Sequence, residues 1–203
     1  MSEADRSARL VADELRRAVG DSRIGSQIVV VEETSSTNDL VWDAFGRGAS
    51  EGLVVFAERQ TAGRGQYGRR WESAPYKGLW FSVLLRPAIA LAQSPQLTSL
   101  LAEVIAAAIM QETGITAVIK PPNDIYIAGR KVAGVLVEGR TAADESYVAV
   151  AGIGVNVNHI MADFPEELRA TATSLAMTTG RKIARTKLAV ALLRNLEERM
   201  DSL

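Results

Sequence analysis

Apolar positions along the chain fall into two rhythms. Ala8, Val11, Ala12, Leu15, Ala18 and Val19 recur at helical spacing with charges between them, predicting a helix from about Glu3 to Val19 that Gly20 closes. Leu97, Leu100, Leu101, Val104, Ile105, Ala108 and Ile109 mark a second helix over 95–113, stopped by Gly114. Leu188, Leu192, Leu196 and Met200 mark a third over 185–200. The cap-rich run Thr34-Ser-Ser-Thr-Asn-Asp39 precedes an amphipathic stretch from Leu40 to Phe45, ended by Gly46 and Gly48. Strand-like runs occupy 28–31, a short buried one, then 53–57, 79–85, 115–119, 125–127, 132–138 and 147–157. Ala128-Gly129-Arg130 and residues 142–145 read as hairpin turns. No repeat, low-complexity tract or linker interrupts this order. The prediction is one α+β domain over 1–203, with 1–27 as N-terminal helix and lead-in and 185–203 as C-terminal helix.

Composition narrows the chemistry. The chain has 203 residues, a formal charge of −1, no cysteine and one histidine. That excludes a disulfide framework, a zinc site of Cys/His type and a thiol nucleophile. No G-x-S-x-G elbow accompanies His159, which carries no partner pattern and is read as a strand-end residue without a catalytic role. A near-neutral balance gives no global reason to expect nucleic-acid binding, and no apolar run approaches a membrane span. The reading is a cytoplasmic protein with neither DNA nor membrane as partner.

Two segments stand out for their chemistry. The first lies in the aperiodic loop between the strands at 53–57 and 79–85. Residues 58–77 hold five Lys/Arg against two Glu. Gly63, Gly65 and Gly68 let backbone N–H groups turn toward an anion and the arginines offer bidentate phosphate contacts, the alternative being a solvated mobile loop. Gly63-x-Gly65-x-x-Gly68 matches the dinucleotide fingerprint literally, but Arg69-Arg-Trp-Glu-Ser-Ala-Pro75 opens no helix behind it, so the match is a decoy. The second segment is Lys120-Pro-Pro-Asn-Asp124, where two prolines hold Lys120, Asn123 and Asp124 in a set relation at a strand end. Gly134, Gly152 and Gly154 interrupt good strands, which marks close approach of a ligand, another backbone or tight strand packing. Asn156 and Asn158 share a face by alternation, there either to read an adenine edge or to satisfy a neighbouring segment.

In order, Ser36-Thr-Asn38, Glu58-Arg-Gln-Thr-Ala-Gly-Arg-Gly65, Arg69-Arg-Trp71, Lys120-x-Pro-Asn-Asp124, Lys131-x-Ala-Gly-Val-Leu-Val-Glu138 and Gly152-Ile-Gly-Val-Asn156 resemble the catalytic domain of the biotin protein ligases. The resemblance covers about 28–203. It implies a mixed, largely antiparallel sheet with helices mainly on one face, the class II aminoacyl-tRNA synthetase-like catalytic fold. It also implies a reaction in two steps. Biotin's carboxylate attacks the α-phosphate of MgATP to give biotinyl-5′-AMP, and a lysine of a biotin carboxyl carrier domain then takes the biotinyl group. ATP with Mg2+ and biotin are substrates in this reading, with no permanently bound cofactor, and a homodimer is an allowed assembly. Neither step needs a nucleophile from the enzyme.

By the same resemblance, Lys120 and Arg64 are the catalytic residues. Ser36, Thr37, Asn38, Gln60, Gly63, Arg64, Gly65, Gln66, Lys120, Gly134 and Leu136 hold biotin. Arg64, Arg69, Trp71, Asn123, Asp124, Lys131, Gly154 and Asn156 hold ATP and the adenylate. Mg2+ is carried by the ATP phosphates, with Asp124 as the candidate protein ligand. The loop is expected to be mobile without ligand and ordered by it. Three departures from the family pattern are visible. Pro121 replaces a usual Trp, and Gln66 stands where an Arg commonly follows Gly-Arg-Gly. The chain is also expected to lack a helix-turn-helix before Ile28 and the family's small β-barrel after its last helix, by nature or by trimming. Two other readings remain: a non-catalytic relative binding biotin or its adenylate as a sensor, and a lipoate-type ligase.

Overall fold

The computed structural model describes residues 9–142 and 144–200. Its centre is a seven-stranded sheet built from β1 (Gln27–Thr34), β2 (Leu53–Gln60), β3 (Gly78–Leu85), β4 (Val118–Lys120), β5 (Asp124–Ile127), β6 (Arg130–Thr141) and β7 (Tyr147–Asn156). The strand order is β1-β2-β3-β7-β6-β5-β4. Only β1 and β2 run parallel; every other neighbouring pair is antiparallel. Among the described residues five α-helices accompany the sheet: α1 (Ala12–Val19), α2 (Thr37–Gly46), α3 (Ser94–Thr113), α4 (Leu175–Thr179) and α5 (Arg185–Met200). This is the mixed, largely antiparallel α+β architecture that the sequence implies.

Strand alternation divides the sheet into two faces with different work. Leu79, Phe81, Val83 and Leu85 of β3 turn toward α1, α3 and α5, and join the main apolar core with Val54 and Phe56 of β2 and Ala151, Ile153 and Val155 of β7. Phe56 and Phe81 stack there with centroids 4.8 Å apart. On the opposite face, Val41 and Trp42 of α2 cover a smaller patch of Leu53, Val55, Leu84, Val148 and Val150. Further along that second face the apolar side chains give way to Gly134, Gly152 and Gly154, and the sheet surface lies bare enough to receive other groups.

Four differences from the sequence expectation have physical causes. α1 begins at Ala12 rather than near residue 3, and 3–8 lie outside the described residues. Val11 is extended, and the Leu10 N–H leaves the helix pattern to donate to Glu58 Oε1 at 2.7 Å. β1 is an edge strand, not a buried one: it pairs only with β2 and leaves Val29 44% exposed. β4 forms over three residues, because only Val118–Lys120 find partners on β5. The short helix α4 has no repeat long enough to announce it; Ser174 Oγ caps it by accepting from the Met177 N–H at 3.1 Å.

Among the described residues the core also holds a buried ion pair. Arg185, at the start of α5, donates to Glu58 through Nη1 at 2.7 Å and Nη2 at 3.0 Å, and to the Gly78 carbonyl at 2.9 Å. With the Leu10 N–H, these bonds satisfy a carboxylate that would otherwise be intolerable inside the protein. They fasten the N-terminal segment, β2, β3 and α5 at one point.

Candidate active site

α2 starts where the chain leaves β1, so its first residues project over the bare end of the sheet. The Thr37 N–H donates to Gln60 Oε1 at 2.8 Å, and Thr37 Oγ1 stands 3.1 Å from the same oxygen. Ser82 Oγ, below them on β3, is 2.6 Å from both Thr37 Oγ1 and Asn38 Oδ1. Asn38 lies against Gly152, where a Cβ would come within 2.4 Å of its Oδ1. Glycine at 152 thus lets the Asn38 amide lie where it does, and any larger residue would force that side chain to shift.

The arginine-rich loop folds back on itself. The Trp71 N–H donates to the Gly63 carbonyl at 2.9 Å and the Gly65 N–H to the Arg69 carbonyl at 2.7 Å, around a single 3₁₀ turn at Gln66–Gly68. No helix follows, so the dinucleotide fingerprint is indeed a decoy. Gly63 is part of this closure and does not reach the cavity wall: a Cβ there would lie 2.7 Å from the Trp71 carbonyl. Trp71 swings back over the sheet and lies across Gly134 and Gly154, which are cross-strand partners. A Cβ on Gly154 would be 2.5 Å from its ring. Lys131 Nζ stands 5.2 Å from the same ring and pairs with Asp124 at 2.6 Å.

Arg64 is placed differently from a phosphate ligand. Its guanidinium forms a two-pronged bond with Asp39 (2.9 and 2.7 Å) and a third with Glu138 at 3.1 Å, while Glu138 also accepts from Trp42 Nε1 at 3.0 Å. The Arg64 contact holds the Asp39 carboxyl below its usual range, and the two carboxylates raise the Arg64 pKa further. Arg70 pairs with Glu72 at 2.9 Å. Lys120 is exposed at the end of β4, with its Nζ 5.4 Å from the Tyr126 ring. Asn123 is locked by its neighbour strand: Nδ2 donates to the Val135 carbonyl at 3.0 Å.

These parts line one cavity of about 460 Å³. Every expected site residue except Gly63 borders it, from Ser36, Thr37, Asn38 and Gln60 at one end, past Leu136 and Gly134, to Lys120, Asp124 and Lys131. Asn156 borders it too, but its Nδ2 is already given to the Thr173 carbonyl at 3.1 Å. Asn158 is spent on Ile183 and lies off the cavity. The rim formed by His159, Asp163, Phe164, Leu168, Thr171 and Ala172 was not expected from the sequence. His159 is buried, edge-on to Trp80 and stacked on Phe164 at 4.9 Å. Burial pulls its pKa down to about 4, with Lys77 adding to that and Asp163 opposing it. Among the described residues no three His, Asp or Glu gather to hold a metal ion.

A family model for the biotin/lipoate A/B protein ligases matches residues 30–158, the segment that carries nearly all of this cavity. The chain belongs to that family. Among curated relatives of this ligase family, the chain is 38% identical over 191 residues to the bifunctional ligase/repressor BirA of Bacillus subtilis, covering 94% of this chain and 59% of that one. It is 35% identical over 199 residues to the biotin--[acetyl-CoA-carboxylase] ligase of Mycobacterium tuberculosis, covering 91% and 70%. The chain thus spans about three fifths of the Bacillus relative. Among solved structures, the biotin protein ligase of Aquifex aeolicus in complex with biotin and ATP superposes with a TM-score of 0.74 at 32% identity, covering 87% of this chain and 71% of that one.

Proposed function

We propose that the protein activates biotin with ATP and transfers the biotinyl group to a lysine of a biotin carboxyl carrier protein. One observation carries this reading. A single cavity joins a hydrogen-bonding end of neutral hydroxyls and amides to a cationic end at Lys120, in a chain with no cysteine and a histidine too depressed to act as a base at neutral pH. A ureido ring suits the first end and a carboxylate beside a phosphate suits the second. The likeness to relatives whose names and complexes contain biotin and ATP supports the same assignment over a lipoate-type ligase.

In this reading a biotin carboxylate oxygen attacks the α-phosphorus of ATP. The bond to the bridging oxygen of the β-phosphate breaks, and pyrophosphate leaves with its magnesium. Lys120 neutralises charge growing on the α-phosphate without having to move far. The neutral ε-amine of the carrier lysine next attacks the acyl carbon, AMP leaves with the bonding pair, and the amine proton passes to solvent. Mg2+ enters with the ATP phosphates, since Asp124 is engaged by Lys131. Arg64, held by Asp39 and Glu138, acts first as a strut for the loop over the cavity. A supply of ATP and carrier protein makes the cytoplasm the location that fits this reading.

Mass spectrometry of a carrier domain incubated with the protein, biotin and MgATP tests the proposal; the expected result is one biotin on one lysine. Lys120→Ala should slow biotin-dependent pyrophosphate release about a hundredfold or more. An adduct from octanoate in place of biotin would move the protein to the lipoate branch, and biotin binding without pyrophosphate release would make it a sensor.

A further inference from the structure

We propose that Ser82 is a positioning residue that sets which way the Asn38 amide faces, and so selects a ligand that offers a hydrogen-bond acceptor. The inference rests on the biotin reading and deepens it. Ser82 lies mid-strand on β3, fully buried between Val55 of β2 and Gly152 of β7, and does not itself border the cavity. Its hydroxyl has one proton and two oxygen neighbours at 2.6 Å, Thr37 Oγ1 and Asn38 Oδ1. A separation of 2.6 Å is typical of a hydroxyl bond and shorter than an amide N–H donor normally allows. The group facing Ser82 is therefore the amide oxygen, which has no proton to give. Ser82 donates to Asn38, while the Thr37 hydroxyl, its second neighbour, has its own proton within reach of Gln60 Oε1 at 3.1 Å. Gln60 Oε1 remains served by the Thr37 backbone N–H at 2.8 Å.

That proton order decides the other end of the amide. Asn38 is 3% exposed, borders the cavity, and its Nδ2 has no partner among the described residues. Gly152 lets the amide lie flat on β7, where a Cβ would crowd both Oδ1 (2.4 Å) and Nδ2 (3.3 Å). A buried, fixed, unmatched donor is costly alone and favourable only toward an acceptor. The oxygen of a cyclic urea meets that demand. A cyclic guanidinium of the same shape, with N–H where the urea has oxygen, does not.

Isothermal titration of the full chain with biotin and with 2-iminobiotin at neutral pH tests this. The unsubstituted protein should favour biotin by roughly a hundredfold. In Ser82→Ala nothing holds the amide, which turns to offer Oδ1, so the preference should fall about tenfold or more through both weaker biotin and stronger 2-iminobiotin binding. Circular dichroism checks the fold. Ser82→Cys, which keeps the volume with a weaker donor, should give an intermediate ratio and replaces Ser82→Ala if that variant does not fold. Equal weakening of both probes, with the ratio unchanged, overturns the role of Ser82 and leaves the biotin reading intact. Failure of the unsubstituted protein to bind biotin refutes that reading, and the inference with it.

Discussion

His159→Phe should remove a specific acid sensitivity from the protein. His159 is the chain's single histidine, 2% exposed between Trp80 and Phe164, with no partner for Nδ1 among the described residues. Its folded-state pKa is about 4, against 6.5 in a free chain. Below pH 6.5 the unfolded chain takes up a proton that the folded protein refuses, so stability falls as the pH falls toward 4. The full interval corresponds to about 3 kcal/mol, of which about 2 kcal/mol lies between pH 7.5 and pH 5. Urea unfolding of both proteins across that range separates this from the carboxylates, which titrate in both. The difference between the two should open by about 2 kcal/mol toward pH 5. Phenylalanine preserves the ring stack and leaves no polar atom unpaired, so at pH 7.5 the variant should match or exceed the parent. An imidazole that titrates near 6.5 by NMR, or a flat difference, would refute the reasoning.

Two further substitutions probe the site and the core. Gln66→Arg adds a cation to the cavity wall and should slow escape of biotinyl-5′-AMP about tenfold, followed as free adenylate after ATP is removed; an unchanged rate would show that Gln66 does not face the phosphate. Glu58→Ala strips the buried Arg185 of both its bonds to the carboxylate and should cost about 3–5 kcal/mol in urea unfolding, with Glu58→Met plus Arg185→Met recovering most of it. A loss below about 1 kcal/mol would mean the pair is accessible to water.

The sequence revealed most where a local rule governs. The long helices α3 and α5 follow their 3.6-residue stripes, and Gly114 stops α3 in the left-handed conformation that a terminal glycine permits. The Ala128-Gly129 hairpin is equally local, with both residues at positive φ. Glycines 134, 152 and 154 were legible as points of close approach, but not what approaches them, because Trp71 and Asn38 arrive from distant segments. Arg64 shows the same limit: its partners lie 25 and 74 residues away, and nothing in the basic loop signals Asp39 or Glu138. The rim from His159 to Ala172 has no period to read, being made of 3₁₀ turns and bends. Ser82 was invisible for a different reason, since a lone serine in an apolar strand carries no pattern at all.

The Glu58–Arg185 pair has a consequence for the order of events during synthesis. The two residues are 127 positions apart, and the carboxylate belongs to the strand that leads directly into Gln60. At about 5–20 residues per second, roughly 6–25 s separate the emergence of the charge from that of its counter-ion. Throughout that interval β2 cannot be sealed into a dry core without stranding an ion. Closing β2 early would therefore require the Glu58 carboxylate to take up a proton, so the pair favours sealing the central strands, and with them the ligand cavity, once α5 is in place.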